Sequence, residues 1–130
     1  MSRKYNVLLV DDDRLIRHVT EAYFKRMGFA LDMAENGLAA VDKFKEKAYD
    51  LILMDVRMPV MNGLDATRAI RQLESENDAG RNARIIAVTG SSARDECLDC
   101  GMDDFFLKPI LMDHIHQIIS GMPGHLHMRE

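Results

Sequence analysis

Three short, uninterrupted apolar runs mark the chain: Val7-Leu8-Leu9-Val10, Leu51-Ile52-Leu53-Met54 and Ile85-Ile86-Ala87-Val88. Runs of this length suit strands covered on both faces, and they predict the centre of a parallel sheet. Two weaker segments predict its edges: Phe29, Leu31 and Met33 alternate with Ala30 and Asp32, and Phe105-Phe106-Leu107 is shorter still. Between these segments apolar residues recur at helical spacing: Ile16, Val19, Tyr23 and Met27; Ala40 or Val41, Phe44 and Ala48; Ala66, Ile70 and Leu73; Ile115, Ile118, Ile119 and Met122. Each set lays one stripe on a sheet. A further helix, roughly Ala93 to Cys100, has its stripe broken by Arg94, Asp95, Glu96 and Asp99, which predicts looser packing than its neighbours'. Gly28 and Gly101 fall where left-handed helix ends belong, and Asn62 and Ser92 fall where N-caps belong. The alternation predicts an α/β fold of five strand–helix repeats, with helices on both faces of the sheet.

Composition narrows the class. A length of 130 residues is about one domain, and 47% hydrophobic residues suffice for one core without metal or disulfide staples. With 17 basic against 21 acidic residues the formal charge is -4, which gives no electrostatic reason to bind nucleic acid or anionic lipid. The apolar runs are far shorter than the ~20 residues a membrane span needs, and Met1-Ser2-Arg3-Lys4 leads straight into a strand, so neither a span nor a signal peptide is predicted. Cys97 and Cys100 are too close in sequence to clamp distant elements, and a cytoplasmic location is expected. From Glu74 to Arg84 the chain reads as a helix end running into an exposed loop, and the stretch 123–130 as a short frayed tail.

Ligands of such sheets gather outside the carboxyl ends of the strands. That is where the unusual polar residues fall: Asp11, Asp12 and Asp13 after the first strand, Asp55 after the third, Thr89 after the fourth and Lys108 after the fifth. Three clustered carboxylates repel one another unless something neutralises them, and a hard divalent cation such as Mg²⁺ does so with oxygen ligands. If Asp55 attacks a phosphoryl group, the metal and the Lys108 ammonium can hold its oxygens while the Thr89 hydroxyl donates to one. Asp13 is read instead as the N-cap of the following helix.

Taken in order, Val10-Asp11-Asp12-Asp13, Met54-Asp55-Val56-Arg57-Met58-Pro59-Val60-Met61-Asn62-Gly63, Val88-Thr89-Gly90 and Leu107-Lys108-Pro109 resemble the receiver domain of two-component response regulators. The likeness runs from about Tyr5 to Met122 and implies a receiver domain over 1–122. Its fold would be the flavodoxin-like (βα)5 arrangement with strand order 2-1-3-4-5. Asp55 would then accept a phosphoryl group from a phosphohistidine on a histidine kinase or histidine phosphotransfer protein. Asp12, Asp55 and the Arg57 backbone carbonyl would bind Mg²⁺ directly, and Asp11 would act through a metal-bound water. The resemblance further makes Thr89 the switch hydroxyl, Lys108 the phosphate-pairing lysine and Pro109 the residue of a cis peptide. Phe105 occupies the place of the aromatic that turns inward behind the switch, where many members carry tyrosine, so its signal would rest on packing alone. Gly90 leaves room beside the site, and Arg57 and Ser91 stand at the positions that tune phosphoryl lifetime. Catalysis would be confined to the chain's own phosphorylation and slow dephosphorylation, and protein targets would meet the face of the fourth helix, last strand and fifth helix. No output domain is expected.

Other readings are weaker on their residues. A haloacid-dehalogenase-type enzyme needs a second acid two residues beyond its nucleophile, where this chain has Arg57. No G-x-G-x-x-G follows the first strand, which disfavours dinucleotide binding. A binding module that keeps the fold without phosphorylation would have no use for the full set of chemical residues. Cys97-Leu98-Asp99-Cys100 has redox-motif spacing but lies within a predicted helix rather than opening one. A zinc site completed by His125 and His127 does not match ligand spacing, and His18, His114 and His116 read as helix-surface or packing residues.

Overall fold

The computed structural model describes residues 5–77, 82–90 and 94–122. In chain order its elements are β1 (Val7–Val10), α1 (Arg14–Arg26), β2 (Leu31–Ala34), α2 (Gly37–Glu46), β3 (Leu51–Met54), α3 (Gly63–Asn77), β4 (Arg84–Thr89), α4 (Arg94–Asp99), β5 (Asp104–Leu107) and α5 (Met112–Ser120). The five strands form one sheet in the order β2-β1-β3-β4-β5, every neighbouring pair parallel. The continuous apolar runs hold the centre and the two weaker segments the edges, as complete and partial cover require.

Period-two alternation divides the interior. Leu8, Val10, Ile52, Met54, Ile85 and Ala87 face Ala40, Val41, Ala66, Ile70 and Cys97 from α2, α3 and α4. Their strand neighbours Val7, Leu9, Leu51, Leu53, Ile86 and Val88 face Phe24, Ile115, Ile118 and Ile119 from α1 and α5. Each fully buried aliphatic side chain contributes about 1.5–3 kcal/mol, so this two-sided filling is what fixes the strand ends in space.

Local chemistry sets the boundaries. The Asp13 carboxylate accepts from the Leu15 and Ile16 amides and caps α1, and Asn62 accepts from the Asp65 amide. Gly28 and Gly101 have φ of +87° and +112°, the left-handed conformation that glycine adopts at no steric cost. Asn36 caps α2 through the Ala39 amide at 2.8 Å, a cap the sequence pattern did not single out.

Three expectations shift. The inward face of α1 is Thr20 and Phe24, 2% and 0% exposed, while Val19 is 41% exposed and points to solvent. Helical spacing from Ile16 reaches Thr20, Phe24 and Met27 as readily as Val19, and the sheet selects the stripe holding the large aromatic. Ala48 lies beyond the end of α2 and is exposed; Tyr49 is the buried residue there. Phe29 precedes β2, donating its amide to the Phe24 carbonyl at 2.9 Å and stacking on Tyr5 at 5.8 Å between ring centroids. Of α4's residues only Cys97 is buried, in keeping with its broken stripe. Ser91, Ser92, Ala93, His125 and His127 lie outside the described residues. Among the described residues no helix is long and apolar enough to cross a membrane.

Candidate phosphoryl-acceptor site

Parallel pairing brings the carboxyl ends of β1, β3, β4 and β5 to one edge, and their next residues meet there. Asp55 is anchored by its amide to the Val10 carbonyl at 2.9 Å, and Asp11 by its amide to the Ala34 carbonyl at 3.1 Å. Both are buried, at 5% and 2% exposure, whereas Asp12 is exposed. Carboxylate oxygens from the three residues lie within 4.8 Å of one another. Lys108 enters from the end of β5, its Nζ 2.9 Å from Asp11 Oδ2 and 3.2 Å from Asp55 Oδ2. The Lys108–Pro109 peptide is cis, and the Lys108 amide donates to the Thr89 carbonyl at 2.8 Å. Thr89 is buried at the end of β4, and a side chain at the following Gly90 would meet open space.

The electrostatics follow from this crowding. Burial, reinforced by the charge of Asp11, pushes the Asp55 carboxyl up to about 6, and Lys108 only partly offsets the rise. Burial opposes the Lys108 charge as well, but the hydrogen bond and charge of Asp11, with those of Asp55, outweigh it and hold the ammonium above its ordinary value. One lysine therefore serves two buried carboxylates with a third beside them, and the site keeps a surplus of negative charge. An all-oxygen donor set with unmet negative charge fits Mg²⁺.

The loop after β3 is shaped by its main chain. The Gly63 amide donates to the Val56 carbonyl at 2.8 Å, and a Cβ at Gly63 would collide with the Asp55 carbonyl oxygen. Met61 donates to the Pro59 carbonyl at 2.8 Å across Val60, whose φ is +71° and whose side chain is 77% exposed. This is a γ-turn holding a β-branched residue in the left-handed region, at a cost of about 1–3 kcal/mol. Arg57 lies exposed in the same loop. Phe105, half-buried, pairs in register with Ala87 and packs on the core that α2, α3 and α4 cover.

Arg17 was not singled out from sequence, yet its Nη1 donates to the Asp11 carbonyl at 2.7 Å. A cation in the first turns of the helix that follows an acidic loop is the available signal. Away from the site, Cys97 and Cys100 are both buried; burial, with Cys100 and Glu96, pushes the Cys97 thiol up to about 11, and burial raises Cys100 as well. Neither is a ready nucleophile.

Comparison with known proteins bears on this arrangement directly. The chain is 38% identical over 130 residues to a hybrid signal transduction histidine kinase of Dictyostelium discoideum, covering 92% of this chain but 6% of that relative's length. Among solved structures it is similar to the receiver domain of a Pseudomonas aeruginosa sensor histidine kinase with a magnesium ion coordinated in its active-site cleft. That match has a TM-score of 0.80 and 34% identity, over 91% of this chain and 96% of the other. It is similar also to the receiver domain of a Saccharomyces cerevisiae response regulator, crystallised with a histidine phosphotransfer signaling protein. Here the TM-score is 0.84 and the identity 28%, over 92% and 89% of the two chains. Residues 7–120 match the response regulator receiver domain family, a span that takes in all five strands and every side chain at this edge. The chain therefore belongs to the response regulator receiver domains, signalling modules of phosphorelay systems.

Proposed function

We propose that Asp55 accepts a phosphoryl group from a phosphohistidine on a partner protein, and that the chain changes conformation in consequence. The observation that carries this reading is one buried carboxylate sharing a single lysine with a second, within 4.8 Å of a third. Such a site is short of positive charge until a cation completes it, and the cation with Lys108 then offers positive charge to an incoming phosphoryl group. An Asp55 carboxylate oxygen attacks phosphorus as the phosphorus–nitrogen bond breaks, and the bonding pair returns to the imidazole nitrogen. Lys108 gives charge to the transferred oxygens, and the Thr89 hydroxyl, next to Lys108 across the strand ends, donates to one of them. Asp12, Asp55 and the Arg57 backbone carbonyl would hold Mg²⁺, with Asp11 acting through water; when bound, the ion neutralises charge on the phosphoryl oxygens. The magnesium in the cleft of the similar Pseudomonas receiver supports the choice of ion.

Thr89, drawn toward the phosphoryl group, vacates space into which Phe105 turns from its half-buried position, altering the face of α4, β5 and α5 that meets protein targets. A histidine kinase or histidine phosphotransfer protein is the donor, as the crystallised yeast pair supports. The receiver unit extends over 1–122, with its chemistry confined to its own phosphorylation and dephosphorylation, in the cytoplasm. Intact mass after incubation with Mg²⁺ and a small acyl phosphate, and separately with a phosphohistidine donor, tests the reading. Gain of one phosphoryl group, lost in Asp55→Asn and with chelator, is expected; the same gain in Asp55→Asn overturns it.

A further inference from the structure

Arginines on helices are ordinarily solvated, but the guanidinium of Arg71, on α3, is committed to the protein. Its Nε donates to the Gly101 carbonyl at 2.9 Å, and its Nη2 to Asp103 Oδ2 at 2.8 Å. Its Nη1 donates to Glu74 Oε1 and to the Ala83 carbonyl, each at 2.7 Å. The acceptors are themselves fixed: Glu74 Oε2 takes the Ala83 amide at 2.7 Å and Asp103 Oδ2 the Ile85 amide at 2.8 Å. The Arg71 stem also lies against the turn, since a Cβ at Gly101 would be 3.0 Å from Arg71 Cγ. One planar fork thereby binds α3 to the turn after α4 and to the start of β4.

α4 is held unevenly. Arg94, Asp95, Glu96, Leu98 and Asp99 are exposed, whereas Cys97, Cys100 and Met102 are buried. Past the helix, the Met102 amide returns to the Cys97 carbonyl at 3.1 Å and the Asp103 amide to the Ile85 carbonyl at 2.7 Å. The amino-terminal end of α4 begins at Arg94, shortly after Thr89 in sequence. The carboxy-terminal end is fastened to α3, the same helix whose Gly63 packs on the Asp55 backbone.

We propose that Arg71 is a positioning residue for signalling: by fixing the Gly101–Asp103 turn to α3 it supplies a pivot, about which phosphorylation swings the amino-terminal end of α4. The pivot takes its input from the Asp55 and Thr89 roles proposed above, but its existence does not depend on them. A lysine cannot replace it, because a point charge does not reproduce a fork with acceptors on three segments.

Amide-resolved NMR of the whole chain tests this in wild type, Arg71→Lys, Arg71→Met and Asp103→Ala, first without ligand and then with Mg²⁺ and beryllofluoride as phosphoryl mimic. Without ligand, the Gly101–Asp103 amides should exchange at least about tenfold faster in each variant than in wild type, while Asp95 and Glu96 exchange alike in all. On loading, wild-type shifts should concentrate at Gly90 and Arg94–Cys97; in the variants they should spread into Gly101–Asp103. If Arg71→Met fails to fold because Glu74 is left unpaired, Asp103→Ala, at a side chain 40% exposed, makes the same distinction. Wild-type shifts as large at Gly101–Asp103 as at Arg94–Cys97 overturn the pivot. So does an unaltered loading pattern in folded variants, which would leave Arg71 a purely structural tie. Absence of any response at the Asp55 and Thr89 amides overturns the site reading instead, and the change in Gly101–Asp103 exchange between wild type and variants then tests the Arg71 tie by itself.

Discussion

Replacing Asp55 by asparagine should make the metal-free protein more stable at neutral pH, although it destroys the proposed acceptor. Burial and Asp11 lift this carboxyl from 3.8 to about 6, so the folded chain holds its proton more tightly than the unfolded chain does. The stability linked to that proton is complete below 3.8 and is lost as pH rises through about 6. A shift of about two units at ~1.4 kcal/mol each bounds the cost near 3 kcal/mol. Asparagine keeps an oxygen for Lys108 and an amide group for Asp11 but carries no charge. We therefore expect Asp55→Asn to gain about 1–3 kcal/mol at pH 7.5 in chelator, or roughly 5–10 °C in Tm for a chain of this size. The gap should close as pH falls toward 4. Mg²⁺ should narrow it from the other side, because an ion that binds the folded wild type at a hundred times its Kd contributes ~2.7 kcal/mol. Urea unfolding at pH 4.5, 6 and 7.5, with and without Mg²⁺, provides the measurement. An asparagine variant less stable than wild type at pH 7.5, or a difference independent of pH, would refute the claim that unmet negative charge governs this site.

Lys108→Met should raise the Asp55 carboxyl still further, read by carboxyl ¹³C titration, and slow phosphoryl uptake, since two buried acids lose their one cation. Gly63→Ala should cost about 1–3 kcal/mol in chemical denaturation and reduce phosphoryl uptake, because the new methyl group collides with the Asp55 carbonyl oxygen. In Tyr49→Phe, Asp32 loses the 2.6 Å hydrogen bond that chiefly holds its carboxyl below 3.8. The destabilisation, under about 1 kcal/mol for so exposed a partner, should be present at pH 7 and fade as pH falls below 3.8.

The sheet and the site were legible for the same reason. Strands buried on both faces must be continuously apolar, so the polar residues that end them, Asp11, Asp55 and Thr89, stand out in the sequence and fall at one edge in space. α1 was harder, because Leu15, Ile16, Val19, Ala22, Tyr23 and Phe24 surround the helix and only the sheet's shape selects Thr20 and Phe24 over Val19. Asp32, Tyr49 and Lys47 form a hydrogen-bonded cluster between β2 and the start of β3 that no local pattern announces. The acceptors gathered by Arg71 lie as far away as Asp103, and a helical arginine with glutamate three residues on reads simply as a surface pair. Contacts of long sequence separation are fixed by topology, and topology is what a local pattern lacks.

The loop after β3 keeps its form through main-chain bonds, Gly63 to Val56, Gly37 to Met61 and Met61 to Pro59, rather than through the side chains it displays. Arg57 and Val60 project from it into solvent in the loop that follows Asp55. Substitution of these two side chains leaves those main-chain bonds, and with them the backbone around Asp55, in place. The rim of the site can therefore vary in charge and shape while the loop that carries it keeps its form.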